Sequence, residues 1–125
     1  MPPLPTGAEL EILAALWRLG PSTVRVVFEA LGKNSGYTTT LKQMQVMTEK
    51  GLLSRSKRYR SHVYEAVASI EDTQQQLAGD LLRRAFGGSA ANLVLSALKA
   101  QPTPGEDLAE IRRLMKEVEG GERSR

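Results

Sequence analysis

Thr23-Val24-Arg25-Val26-Val27-Phe28-Glu29-Ala30-Leu31-Gly32, then Lys33-Asn34-Ser35-Gly36, then Tyr37-Thr38-Thr39-Thr40-Leu41-Lys42-Gln43-Met44-Gln45-Val46-Met47-Thr48-Glu49-Lys50-Gly51 reads as short helix, polar turn, longer helix. Thr23 is an N-cap, and Val24, Val27, Phe28 and Leu31 recur at three and four before Gly32 closes the helix. Leu41, Met44 and Met47 give the longer helix, from about Tyr37 to Lys50, one apolar side, and Gly51 ends it. That order is a helix-turn-helix.

The flanks extend it. Upstream, Thr6-Gly7-Ala8-Glu9 reads as a capping box, Leu10, Ile12, Leu13, Leu16, Trp17 and Leu19 form a broad apolar face, and Gly20-Pro21 stops the helix. Trp17 on that face reads as core. Downstream, Leu52-Leu53-Ser54-Arg55 and Ser61 to Val67 are strand candidates, with Lys57-Arg58-Tyr59-Arg60 between them. Three helices and a hairpin with a basic tip make a winged helix. The expected fold is mainly α with a small β-hairpin wing, a winged helix-turn-helix followed by a helical dimerisation unit. The expected division is 1–68 for the winged helix, 69–119 for the helical region and 120–125 for a disordered tail.

That second region opens at Ser69-Ile70-Glu71-Asp72, with a helix running to Phe86 before Gly87-Gly88. A nearly all-apolar helix is expected from about Ser89 to Lys99, and Thr103-Pro104-Gly105-Glu106 reads as a further capping box with proline at the first helical position. The apolar stripes are Leu77 and Leu81, then Leu93, Leu95 and Leu98, then Leu108, Ile111, Leu114, Met115 and Val118. An apolar stripe needs an opposing face. The winged helix is one outlet; a second copy of the chain is the other, and three consecutive amphipathic helices favour it. These ten residues are the expected dimer seam.

Composition narrows the chemistry. The chain has 125 residues, no cysteine and one histidine, His62, so thiolate sites, disulfides and His-cluster metal sites are not expected. No Ser-His-acid set or phosphate-cradling glycine loop is present, and acid pairs such as Glu71/Asp72 fall in first helical turns, where they complement the dipole. Neither a catalytic residue, a metal nor a cofactor is expected. With no membrane-length apolar run and no signal-peptide profile at the N-terminus, the expectation is a cytoplasmic protein. Net charge is only +3, but residues 33–64 hold Lys33, Lys42, Lys50, Arg55, Lys57, Arg58 and Arg60 against Glu49 alone. A nucleic acid would suit such a concentration of positive charge; anionic lipid or an acidic protein would suit it too.

With Tyr37-Thr38-Thr39-Thr40-Leu41-Lys42 followed by Met47-Thr48-Glu49-Lys50-Gly51-Leu52-Leu53, the sequence resembles the penicillinase-repressor family. Ala8-Glu9-Leu10-Glu11-Ile12-Leu13 with Leu16-Trp17, then Arg60 and Tyr64 in the wing, then Phe86-Gly87-Gly88-Ser89, extend the resemblance over roughly residues 5–119. It implies a homodimeric bacterial repressor on dyad-symmetric, double-stranded promoter operators. It also implies a membrane-bound sensor protease that cuts an Asn-Phe bond in the dimerisation unit. Ser96-Ala97 stands at the matching place here, a departure from that pattern. A copper-responsive branch has a cysteine-rich C-terminus, which this chain lacks.

On a helical wheel, Thr40, Met44 and Met47 of the third helix turn inward, while Thr38, Thr39, Lys42, Gln45 and Val46 turn outward. Short hydroxyls, an amide and a lysine are groups that read major-groove base edges. Arg55, Lys57, Arg58 and Arg60 of the wing are candidate phosphate or minor-groove contacts. The competing reading, of another class, is a winged-helix adaptor whose basic face meets an acidic protein.

Overall fold

The capping box forms as read. In the computed structural model, which describes residues 3–32 and 36–123, α1 spans Gly7–Leu19. The Glu9 backbone N–H donates to the Thr6 hydroxyl at 3.2 Å, and the Thr6 N–H donates to the Glu9 carboxylate at 2.9 Å. Gly20 ends α1 at φ 81°, a left-handed conformation that costs glycine little. Thr23 caps α2 (Val24–Leu31), and α3 (Tyr37–Glu49) follows. The turn expected at Lys33-Asn34-Ser35 lies outside the described residues, as do Met1-Pro2 and the end of the expected tail, Ser124-Arg125.

The hairpin is tighter than the sequence suggests. Strands β1 (Leu53–Arg58) and β2 (Ser61–Ala66) pair antiparallel from Leu53 opposite Ala66 to Arg58 opposite Ser61. Lys57 and Arg58, expected in the connection, are therefore strand residues, and only Tyr59 and Arg60 make the turn. Both have positive φ, 50° and 68°. Two such residues form a primed turn, whose twist matches the flanking strands and so lets the ladder run to its end.

A third, one-residue strand joins it. The Ser22 N–H donates to the Tyr64 carbonyl at 3.0 Å, and the Tyr64 N–H donates to the Ser22 carbonyl at 2.8 Å. Tyr64 is itself buried, in one cluster with Ile12, Leu13, Ala15 and Leu16 of α1, Val24 and Val27 of α2, Met44 and Met47 of α3, and Leu52 and Leu53. All five elements from α1 to β2 thus meet in a single core, and the Ser22 connector is tied to it through Tyr64. Trp17 packs half-buried against it, and its indole N–H donates to the Ala68 carbonyl at 3.1 Å. Leu19, read as part of the α1 apolar face, is exposed instead, in the last turn before Gly20.

An ion pair spans the same core's edge. Lys50, just after α3, places Nζ 2.8 Å from Glu9 Oε2. Burial alone would raise the Glu9 pKa. The hydrogen bonds from Lys50 and the Thr6 N–H, with the lysine charge, outweigh it and hold the carboxyl below its ordinary value.

The chain divides into two compact units, Met1–Asp80 and Leu81–Arg125. Helix α4 (Ile70–Arg84), started by a Ser69 hydroxyl that accepts from the Asp72 N–H, begins in the first and ends in the second. Its early turns belong to the winged helix, where Thr73 is buried. In the second unit, Gly87 and Gly88 turn at φ 55° and 83°, α5 spans Ala90–Ala100 behind its Ser89 cap, and α6 spans Gly105–Arg123. Helix α4 stops before Ala85 and Phe86, which were read into it. Pro104 precedes α6 rather than filling its first position, its carbonyl accepting from the Leu108 N–H. Helix α6 also runs through Gly120 and Gly121, read as frayed tail; extending a formed helix needs no new nucleus.

Two outcomes follow for stability. Glu9→Gln removes the ion pair, half-exposed on the lysine side, and lowers stability by about 1 kcal/mol or less near neutral pH. Because the folded pKa of Glu9 is depressed, that contribution is present above the unfolded value of about 4.3 and lost as pH falls through the lower folded value. Denaturant titrations of both proteins should therefore converge on acidification. Replacing Tyr59-Arg60 by Asn-Gly, which accept positive φ readily, should raise the thermal midpoint, by about 1 kcal/mol in stability.

Candidate nucleic-acid interface

Helix α3 is amphipathic in an unusual way: its inner side is apolar, and its outer side is polar but scarcely charged. Thr40, Met44 and Met47 are buried. The Thr48 hydroxyl is turned back onto the Met44 carbonyl at 2.8 Å, leaving it out of the outer row. Thr38, Thr39, Lys42, Gln45 and Val46 are all exposed, and Gln43 is half-buried. Burial of the inner set fixes the rotation of α3, so the outer five face solvent by default. An apolar-walled groove of about 340 Å³ lies between this row and the start of α1, with Thr6 and Glu9 opposite Thr38, Thr39, Lys42 and Val46.

In the wing, cross-strand partners share a face. Arg55 pairs with Tyr64 and Lys57 with His62, so both cations lie on the side of the buried tyrosine. Arg58, opposite Ser61, lies on the other side with Val63. Arg55, Lys57, Arg58 and Arg60 are all exposed, and Tyr59 at the turn is 99% exposed. The hairpin thus offers cations on both faces and at its tip. A slab of this kind can touch a phosphate backbone without burying a charge.

Two basic residues change place relative to the charge count. Lys50, in the basic stretch, is committed to Glu9 on the far end of α3. Arg25, outside it, lies over the Tyr37 ring with its guanidinium carbon 4.5 Å from the ring centroid. Counting charge by segment missed Arg25. The available signal was position: it occupies the first turn of α2, where the dipole favours an acid and none is present.

Among the described residues, no group of histidine, cysteine and acid side chains could hold a metal ion. Among those same residues, no helix is long and apolar enough to cross a membrane. In the second unit, no residue of α5 or α6 among the described residues is fully buried. Leu81, Leu95, Leu114, Met115 and Val118 are exposed, while Leu93, Leu98, Leu108 and Ile111 are half-buried; Leu77, in the first unit, is also half-buried. On α6, Ile111, Leu114, Met115 and Val118 line an open apolar hollow of about 390 Å³. Ser96 and Ala97 are exposed within α5.

The fold is found in solved transcription regulators. It is similar to the homodimeric winged helix-turn-helix DNA-binding domain of a possible ArsR-family regulator from Mycobacterium bovis, at 20% identity and a TM-score of 0.51, covering 81% of this chain and 80% of that one. The PcaV transcriptional regulator from Streptomyces coelicolor, solved with its natural ligand, gives a TM-score of 0.51 at 18% identity, covering 94% and 76%. In sequence, the penicillinase repressor of Bacillus licheniformis is 25% identical over 112 residues, 88% of each chain. The penicillinase repressor family model matches residues 5–117, from the capping box of α1 almost to the end of α6. The chain belongs to the penicillinase repressor family of DNA-binding transcriptional regulators, and is not an enzyme.

Proposed function

We propose that the chain is a cytoplasmic bacterial repressor that binds a two-fold symmetric promoter operator as a homodimer. The observation that carries this reading is the outer row of α3. Five exposed residues of base-reading chemistry stand on a helix whose rotation is fixed by three buried ones, beside a hairpin with cations on both faces. In this reading α3 enters the major groove. Lys42 meets a guanine edge or phosphate, Gln45 meets adenine, and the methyls of Thr38, Thr39 and Val46 meet thymine methyls. Arg55, Lys57, Arg58 and Arg60 hold the backbone and set register. The winged helix occupies residues 1–68 and the dimerisation region 69–119.

The second copy is argued from burial. A unit of 45 residues whose α5 and α6 bury nothing fully among the described residues is too small to hold itself together by its own core. The seam from Leu77 to Val118 supplies the face that a copy would cover, and the Mycobacterium bovis neighbour is itself homodimeric. A sensor protease would meet Ser96-Ala97 where the family resemblance places Asn-Phe, so relief of repression at that bond is not part of this reading.

Binding to the gene's own upstream DNA against a scrambled duplex, over a salt series, tests the whole. A preference of about 10³-fold or more, with two chains per site, supports it; equal weak binding to both duplexes overturns it. Lys42→Ala should cost about 1–3 kcal/mol on the operator and narrow the preference, whereas Arg58→Ala should weaken both duplexes alike. Leu114→Glu combined with Met115→Glu should give a monomer by sedimentation with reduced helicity. A wild-type protein that is already monomeric at micromolar concentration would refute the dimer.

A further inference from the structure

We propose that Arg25, laid on the ring of Tyr37, forms with the cleft beside it a seat for one backbone phosphate of duplex DNA. The inference rests on the DNA-binding reading and adds to it a contact from α2, which no part of that reading uses.

Four observations converge. Arg25 lies 4.5 Å over the Tyr37 centroid, and Tyr37 in turn meets Phe28 edge-on, 5.8 Å away at 83°. Phe28 and Tyr37 are half-buried, so the ring is anchored and the guanidinium has one face covered. Its N–H edge stays available, and a stacked guanidinium is already oriented for bidentate bonding to phosphate oxygens. Among the described residues, Arg25 has no acidic partner.

The second observation is the cleft itself, about 310 Å³, which Arg25 and Tyr37 line together with Thr23, Ser61 and His62. Hydroxyl, imidazole and guanidinium groups from the start of α2, its cap and β2 line it, and among the described residues no carboxylate does. Third, a cation in the first turn of α2 opposes the helix dipole. An anion in front of that turn would be attracted by both the guanidinium and the helix N-terminus. Fourth is placement. The outer row of α3 begins at Thr38, one residue after Tyr37, and Ser61 follows the wing turn directly. A phosphate held here would fix the start of α3 and the turn end of the wing on one strand.

The test measures affinity of the full chain for a mixed-sequence duplex over a salt series, because a phosphate contact needs no operator. Arg25→Ala should weaken binding about tenfold and make the dependence of log affinity on log salt shallower by about one phosphate per protomer. Where the alanine variant melts early, Arg25→Gln keeps the stem and reads the same slope. Tyr37→Leu should weaken binding severalfold, and Tyr37→Phe should restore it, since the ring supplies the stack. A slope unchanged in Arg25→Ala or Arg25→Gln, beside a steep wild-type slope, overturns the seat and leaves the DNA reading standing. No salt-dependent binding by the wild type would overturn both.

Discussion

Tyr64 is where the wing is fastened to the helices. Its N–H and carbonyl both bond to Ser22, in the connector between α1 and α2, while its side chain is buried among residues of all three helices. A hairpin alone is marginal in water. Here the ladder is anchored at its base by two backbone bonds and a buried ring, so its direction relative to α3 is set by the core. That matters for any surface made from both: the outer row of α3 and the cations of β1 are referred to one core, which Tyr64 shares with Met44 and Met47.

The parts of the fold that can be read from the chain are those with local causes. Thr6, Thr23 and Ser69 cap helices because a hydroxyl beside free N–H groups needs nothing distant, and Gly20 and Gly32 stop them through positive φ. The split of α3 into buried Thr40, Met44 and Met47 and an outer row follows from helical period alone. Other features have no local cause. Tyr59-Arg60 is not a typical turn dipeptide, so the hairpin looks longer-looped in sequence than it is. Ser22 pairs as a single residue, too short for any alternation to show. Glu9 and Lys50 are 41 residues apart, and nothing in either neighbourhood predicts their meeting. That last pairing also explains why the net charge of residues 33–64 overstates the charge they leave uncompensated, since Lys50 is matched by an acid from outside the segment.

In the proposed reading the two units divide the work by physical type. The first presents groups whose geometry is fixed before any partner arrives, held by a core that reaches from Ile12 to Tyr64. The second has stripes without a core, and acquires one only by covering Leu95, Leu114, Met115 and Val118. Spacing between two α3 helices in a dimer would then be set by the less self-sufficient unit, so control of DNA binding need not touch the DNA-facing residues at all.

Trp17 is the single tryptophan of the chain. Its half-buried indole, bonded to the Ala68 carbonyl, sits where β2 gives way to α4. Its emission therefore comes from one place, the junction between the wing and the helix that enters the second unit. Loosening of that junction would wet the indole and shift its spectrum to the red. The junction of β2 and α4 within the first unit thus carries a built-in optical marker, with no label added.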